Sequence, residues 1–101
     1  MIKVKITKEK GLISKIEIKG HSLYEVYGKD IVCAGVSTMV VTTVNAIIRY
    51  DKEVLSYNQD EGYVCLVVKK HDRVVDLLLE NLISLLKELE IQYPKNVKIN
   101  E

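Results

Sequence analysis

The sequence predicts an α+β fold of order ββαββαβ, in which two helices pack on a mainly antiparallel sheet. Two observations lead to this prediction. Short segments such as residues 2–7 alternate apolar and charged side chains, as half-buried strands do. Two longer segments, residues 31–50 and 72–90, have the length and the apolar spacing of helices. This order of elements places a layer of helices on one sheet, in a layout related to ferredoxin-like folds.

The first 20 residues predict a β-hairpin. The alternation in residues 2–7 resumes in residues 12–19, where Ile16 and Ile18 are expected to face the core. Glu9, Lys10 and Gly11 supply the turn between the two strands. Gly20 then ends the hairpin and lets the backbone turn into a loop.

The next segment, residues 31–48, contains 18 residues without a charge. That length makes a membrane span one interpretation. The segment also holds Ser, Thr and Asn residues and has only marginal length, so a buried central helix is the favoured interpretation. Many of its residues are β-branched, which lowers helix propensity, but the segment is too long for an ordinary strand. Asp30 precedes it as the predicted N-cap.

A second hairpin is predicted from strands at residues 54–57 and 63–69, with residues 58–62 as the turn. Val97 and Ile99, which follow the helix-breaking Pro94, indicate a last short strand.

Asp72 is the predicted N-cap of a second helix that runs to about Glu90. Its apolar stripe is wider than one core face needs. The surplus positions are Val74, Leu77, Ile83 and Leu85. Either both sides of the helix are buried within the domain, or the surplus is covered by a second copy of the chain. For so small a protein the stripe favours a homodimer.

The composition indicates a single globular domain over residues 1–101, with 48% hydrophobic and 29% charged residues. Fifteen basic residues against 14 acidic ones give no general attraction to nucleic acid. Residues 1–29 nevertheless carry seven lysines and three glutamates, which we interpret as a solvated hairpin face.

Two cysteines are too few for a disulfide framework, and the first residues do not form a signal peptide, so we expect a cytoplasmic protein with reduced thiols.

The chemistry of the sequence is concentrated at residues 20–37. With Asp30 as the N-cap, Cys33 is the third helical residue, where backbone N–H groups and the helix dipole favour a thiolate. Those N–H groups are also suited to an oxyanion. His21 precedes Cys33 by a loop, and an imidazole that folds back would accept the thiol proton as a general base. Burial of Cys33 as an ordinary core residue is the alternative.

Further residues near Cys33 are candidates for substrate contact. Gly35 leaves room for a substrate backbone, and Ser37 shares a helical face with Cys33 one turn later. Tyr27 lies in a loop flanked by glycines, which is typical of a lid. Asp30 is interpreted as a cap and organiser rather than as a catalytic group.

Two other functions remain open on the residues alone. A metal site is the first alternative, with four possible ligands: His21, Cys33, Cys65 and His71. No two of them have the spacing of zinc ligands, so neither a metal nor another cofactor is expected. A noncatalytic ribosome- or RNA-associated dimeric module is the second alternative, because the layout is related to RNA-binding folds and the first hairpin carries lysines. The chain has no Phe or Trp for base stacking, so direct nucleic-acid binding is not expected.

A resemblance to a known family bears on these alternatives. Four parts of the sequence resemble the ribosomal-processing cysteine proteases, the Prp family. They are the pair Gly20-His21, the segment 27–37 (Tyr-Gly-Lys-Asp-Ile-Val-Cys-Ala-Gly-Val-Ser), the segment 44–48 (Val-Asn-Ala-Ile-Ile) and the tail 93–100. The resemblance spans nearly the whole chain, and Ser22 stands where many members have alanine.

The resemblance implies a cytosolic, homodimeric cysteine endopeptidase. Its substrate would be the precursor of the twenty-seventh protein of the large ribosomal subunit, from which it would remove an N-terminal extension after an aromatic residue. The family's catalytic histidine and cysteine fall on His21 and Cys33, and its substrate-contacting serine falls on Ser37.

Overall fold

The computed structural model describes residues 1–20 and 31–101, so predictions that concern residues 21–30 lie outside the described residues. The described residues form one five-stranded sheet and two helices in the predicted order ββαββαβ. The strands are β1 (Ile2–Glu9), β2 (Leu12–Lys19), β3 (Leu55–Asp60), β4 (Tyr63–Val68) and β5 (Val97–Asn100), and the helices are α1 (Ile31–Tyr50) and α2 (Arg73–Gln92).

The strand order across the sheet is β3-β4-β2-β1-β5. β1 pairs with β5 in parallel, while the β1–β2, β2–β4 and β3–β4 pairs are antiparallel, which confirms a mainly antiparallel sheet. Without β1, the remaining order is that of a ferredoxin-like split βαβ fold. β1 is therefore an additional strand inserted between β5 and β2.

Both hairpins close through tight turns. In the first, Lys10 and Gly11 have positive φ angles of 53° and 81°, as a two-residue turn of type I′ requires. In the second, the predicted turn over residues 58–62 is too long. Residues 58–60 extend β3 by pairing with β4, so that only Glu61 and Gly62 form the turn. Two residues suffice because Gly62 adopts a positive φ of 69°.

The core lies between the helices and one face of the sheet. The inward-facing strand residues include the predicted Ile16 and Ile18, which are 0% and 1% exposed. From α2, Val75, Leu79, Leu82 and Leu86 meet them and are fully buried. The helices occupy this inner face, and no described element packs over the opposite, outer face of the sheet.

Helix α1 is buried along one side only, which corrects the expectation of a buried central helix. Its buried residues are Val32, Val36, Val40, Thr43, Val44 and Ile47. On the other side, Ile31, Val41 and Ile48 are 61%, 48% and 40% exposed. Among the described helices, α1 is long and apolar enough to cross a membrane by length and composition, a test that the core helix of a soluble protein also passes.

Helix α2 begins as predicted. The Asp72 side chain accepts a hydrogen bond from the Val75 backbone N–H at 2.9 Å, which confirms it as the N-cap. Of the surplus positions in its apolar stripe, Ile83 is 3% exposed and is buried within the domain. Val74 and Leu77 are the exposed members of the predicted surplus.

The Asp72 cap gives a pH-dependent prediction. The hydrogen bond from Val75 holds the pKa of Asp72 below its usual value. Asp72 therefore stabilises the fold above the carboxyl pKa of the unfolded chain, and this contribution is lost as pH falls through the lowered folded-state pKa. We expect Asp72→Ala to lower the melting temperature at neutral pH by roughly 3–8 °C, and the difference to vanish in strong acid.

Thermal melts followed by circular dichroism would measure this effect. Asp72→Asn is the matched control, because its amide oxygen still caps the helix but does not titrate. An Asp72→Ala variant that melts like the parent at neutral pH would contradict the role of the cap.

Candidate active site

Cys33 is the third residue of α1 and lies in its first turn. Its side chain is half-buried and packs against the core cluster, and neither Cys33 nor Cys65 belongs to a disulfide. The first-turn backbone N–H groups of a helix have no acceptor within the helix. The position of Cys33 in the first helical turn is as the sequence predicted, and positions of this kind favour a thiolate or an oxyanion. Its predicted partners His21 and Asp30 lie outside the described residues.

The chain leaves the sheet at Gly20, whose position is fixed by a backbone hydrogen bond and by a close contact with Met1. The Gly20 N–H donates to the Gly62 carbonyl at 3.0 Å, in line with the β2–β4 ladder. Gly20 has a φ of +85°, and a Cβ at this position would collide with the Met1 carbonyl oxygen. Only glycine fits both conditions, so the backbone that leads into His21 has a defined start.

A shallow groove runs beside Ser37, one helical turn after Cys33. It has a volume of about 30 Å³. Its lining residues come from α1 and from β2, β3 and β4: Ile18, Val36, Ser37, Val40, Val41, Tyr57, Gln59 and Val64. Ile18 and Val64 belong to the end of the sheet at which Gly20 leaves β2. The first half of α1 therefore lies over the end of β2, and the start of α1 is on the same side of the molecule as Gly20.

The groove has an apolar floor and a polar rim. Ser37 is exposed, and the Tyr57 hydroxyl donates to Gln59 Oε1 at 3.1 Å. Tyr57 and Gln59 were not predicted as site residues. The signal was the alternation along β3, which puts both side chains on the inner face of the sheet next to α1.

Gly35 faces the second helix. A Cβ built on Gly35 would lie 3.9 Å from Leu89 Cδ2, an ordinary van der Waals distance. The described contact of Gly35 is thus with α2, and its role in substrate binding stays a prediction.

The two other candidate metal ligands of the described residues, Cys65 and His71, lie away from Cys33. Cys65 is on the outer face of the sheet, where it pairs with Glu17 and Asn58, whereas Cys33 is in the helix layer on the inner face. His71 precedes α2, and its Nδ1 lies 2.9 Å from Asp76 Oδ1. No group of three His, Cys, Asp or Glu side chains within residues 1–20 and 31–101 converges as metal ligands would.

A thiol at the start of a helix beside an open groove is suited to nucleophilic attack on a carbonyl group. This chemistry agrees with the comparison to known proteins, because residues 1–98 match the family described as cysteine protease Prp. The molecule is thus a cysteine protease.

Relatives identify the family. The ribosomal processing cysteine protease Prp of Staphylococcus aureus is 33% identical, with 99% of this chain and 98% of the relative covered. The protein of the same name from Bacillus subtilis is 31% identical, with 90% and 87% covered. The chain belongs to the Prp family of ribosomal processing cysteine proteases.

Solved structures of the S. aureus protease have the same fold. Its complex with a substrate peptide aligns with a TM-score of 0.86 at 31% identity and covers 99% of this chain and 98% of that one. Its complex with a covalently linked product peptide gives 0.87 at 32% identity and the same coverage.

Proposed function

We propose that this protein is a cytoplasmic endopeptidase that removes the N-terminal extension of the twenty-seventh protein of the large ribosomal subunit. Cys33 is the nucleophile and His21 the general base. The observation that carries the proposal is the position of Cys33 in the first turn of α1, beside the groove that contains Ser37. The covalently linked product peptide in the S. aureus relative supports a nucleophilic mechanism.

The reaction proceeds in two halves. His21 takes the proton of Cys33, and the sulfur attacks the carbonyl carbon of the scissile peptide bond. Backbone N–H groups at the start of α1 stabilise the tetrahedral oxyanion. The C–N bond breaks, and the leaving amine takes the proton from His21. Water, deprotonated by His21, then hydrolyses the thioester, and the thiol is restored as the extension leaves.

The groove holds the substrate beside Cys33. Ser37 lies at its rim and offers a hydroxyl to the peptide backbone. Gly35 and Tyr27 complete the substrate contacts, and Asp30 caps α1 so that its N–H groups stay aligned. The mechanism requires no metal or cofactor.

The function is tested with the ribosomal protein precursor that carries its extension. Incubation with the protein is expected to give one product that begins at the mature N-terminus, identified by mass spectrometry. Pretreatment with iodoacetamide, which alkylates Cys33, is expected to abolish the reaction. A precursor that stays intact with untreated protein would overturn the proposal and favour a noncatalytic ribosome-associated module.

The pairing of His21 with Cys33 has a separate test. We expect His21→Ala to slow alkylation of Cys33 at neutral pH, because the general base is lost. In alkaline solution the thiol ionises without help, and the two rates are expected to converge. An equal rate at neutral pH would show that His21 does not activate Cys33.

We also propose a homodimer formed through the exposed side of α1. This side is uncharged over residues 31–48 and includes Ile31 and Ile48, which are exposed and do not line the groove. Exposed apolar side chains on an uncharged helix face are covered at low cost by a second copy related by two-fold symmetry.

Ile48→Glu is expected to convert the dimer to a monomer, because it buries a charge in this surface without altering the groove. Size-exclusion chromatography with light scattering would show the mass fall by about half. Val67→Glu is the control, since Val67 is 36% exposed on the outer face of the sheet. A monomeric parent protein, or equal effects of both variants, would contradict the assignment of α1.

A further inference from the structure

The outer face of the sheet gathers lysines from three neighbouring strands. Ladder partners share a face, so pairing defines its residues. The face carries Lys98 on β5, Lys3 and Lys5 on β1, and Lys15 and Lys19 on β2. Lys98, Lys3 and Lys19 are direct ladder partners and form one row across the sheet. At the usual strand spacing, this row spans about 10 Å. The fold thus brings lysines together on one face, although the basic and acidic residues of the whole chain are nearly balanced in number.

The acidic residues of the outer face balance only part of this charge. Glu17 is its central carboxylate, and it contacts Lys15 at 3.6 Å and accepts a hydrogen bond from the Tyr63 hydroxyl at 3.0 Å. That hydrogen bond, together with nearby lysines, holds the pKa of Glu17 below its usual value, so the group stays ionised. Asp60, at the β3 edge, and Glu9, at the end of β1, are the other acidic residues that the register puts on this face.

Most of these lysines form no salt bridge with an acidic residue of the described chain. Within the described part of the chain, Lys3, Lys5, Lys19 and Lys98 form no salt bridge. Like charges directly opposite each other in a ladder destabilise a sheet. The row Lys98–Lys3–Lys19 is therefore an arrangement that an anionic partner would stabilise.

The shape of the outer face also suits an extended polyanion. A depression of about 210 Å³ lies among Lys3, Lys5, Lys19, Glu17 and Asn100, with Val4 at its base. Exposed amides and amines around it donate hydrogen bonds to phosphate oxygens. At the end of the row, Lys19 Nζ lies 5.6 Å from the centre of the Tyr63 ring, so this end is aromatic as well as cationic.

We propose that the outer face binds the phosphate backbone of RNA through Lys3, Lys19 and Lys98. The choice of RNA over another polyanion rests on the proposed function, because a protease that processes a ribosomal protein works where RNA is the main polyanion. Tyr63 is the only aromatic residue that the described register places on this face, so binding depends on phosphates and is independent of base sequence. The surface lies on the opposite side of the sheet from Cys33 and leaves the groove accessible.

Fluorescence anisotropy with labelled oligouridylate at low salt tests the proposal. The protein carries Cys33→Ala, so that the result does not depend on catalysis. We expect Lys3→Gln, Lys19→Gln and Lys98→Gln together to weaken binding at least about tenfold and to reduce the slope of log K against log salt by about 2. The matched control has Lys10→Gln, Lys52→Gln and Lys95→Gln, which remove the same charge from exposed positions elsewhere. It is expected to bind nearly like the parent.

Three outcomes would overturn the proposal. They are no binding at low salt, equal weakening in the two triple variants, and displacement of the RNA by equimolar polyglutamate, which would favour an acidic protein as the partner.

Acetylation footprinting of the parent protein gives a second readout if the triple variant does not fold. RNA is expected to protect Lys3, Lys19 and Lys98 but not Lys52, and equal labelling would contradict binding. Cleavage of a free precursor peptide by the triple variant with Cys33 intact is expected to be unchanged, so this result and the test of protease function are separable.

Discussion

Replacement of Cys33 by alanine is expected to lower kcat/KM for precursor cleavage at least about a thousandfold, because the reaction loses its nucleophile. Cys33→Ser is expected to be almost as inactive, since a hydroxyl at this position is a far weaker nucleophile than a thiol. The serine variant matters because it preserves most of the packing of the side chain against the core. Loss of activity in both variants therefore reports chemistry rather than a change in fold.

Cys65→Ala is the control for the loss of a thiol. Cys65 is 8% exposed and lies on the outer face of the sheet, so its removal is expected to leave kcat/KM within about twofold of the parent. Steady-state cleavage of a precursor peptide, with circular dichroism to verify folding, measures all three variants. Substantial cleavage by Cys33→Ala would remove Cys33 from the mechanism.

The second large effect is expected from Gly20→Ala. Alanine must adopt the positive φ of +85° and also displace the Met1 carbonyl, which is a backbone group rather than the end of a flexible side chain. Together these costs are expected to destabilise the fold by about 2–4 kcal/mol. The residue also begins the segment that leads to His21, so kcat/KM is expected to fall more than stability alone explains.

Gly11→Ala separates the two causes of the Gly20 effect. Gly11 has nearly the same φ, +81°, but no atom lies within 4 Å of a Cβ built there. It therefore carries only the backbone cost of about 1 kcal/mol. Urea denaturation of both variants gives the comparison. Equal losses of stability would show that the close approach of Met1 to Gly20 has no energetic importance.

Much of the fold was predictable because its signals are local. Alternation in residues 2–7 and 12–19, the side chain of Asp72 and the turn at Gly11 each act within a few residues. The sequence did not indicate that α1 is buried on one side only, because within residues 31–48 its exposed residues are as uncharged as its buried ones. Nor did it indicate the length of β3, since Asn58 and Asp60 are typical turn residues that tertiary pairing holds in a strand.

The same difference between local and long-range signals decides which parts of the candidate site were predictable. Cys33 and Ser37 share a helix, so their spacing was sufficient to relate them. Tyr57 and Gln59 join the groove from a strand about 20 residues away, and no local pattern predicts which helix residues they meet. The lysine row of the outer face was likewise not predictable from any local pattern. It depends on the parallel pairing of β5 with β1, which brings Lys98 beside Lys3 across nearly the whole chain.

The insertion of β1 between β2 and β5 also has a consequence for folding. One edge of β1 is satisfied early by its hairpin partner, but the other pairs only with residues 97–100. During synthesis, that edge therefore presents unpaired N–H and C=O groups until nearly all of the described chain has left the ribosome. Contacts of such high sequence separation are slow to form. We expect pairing of β5 to be the final step of folding, and truncation before Val97 to produce a chain prone to edge-to-edge aggregation.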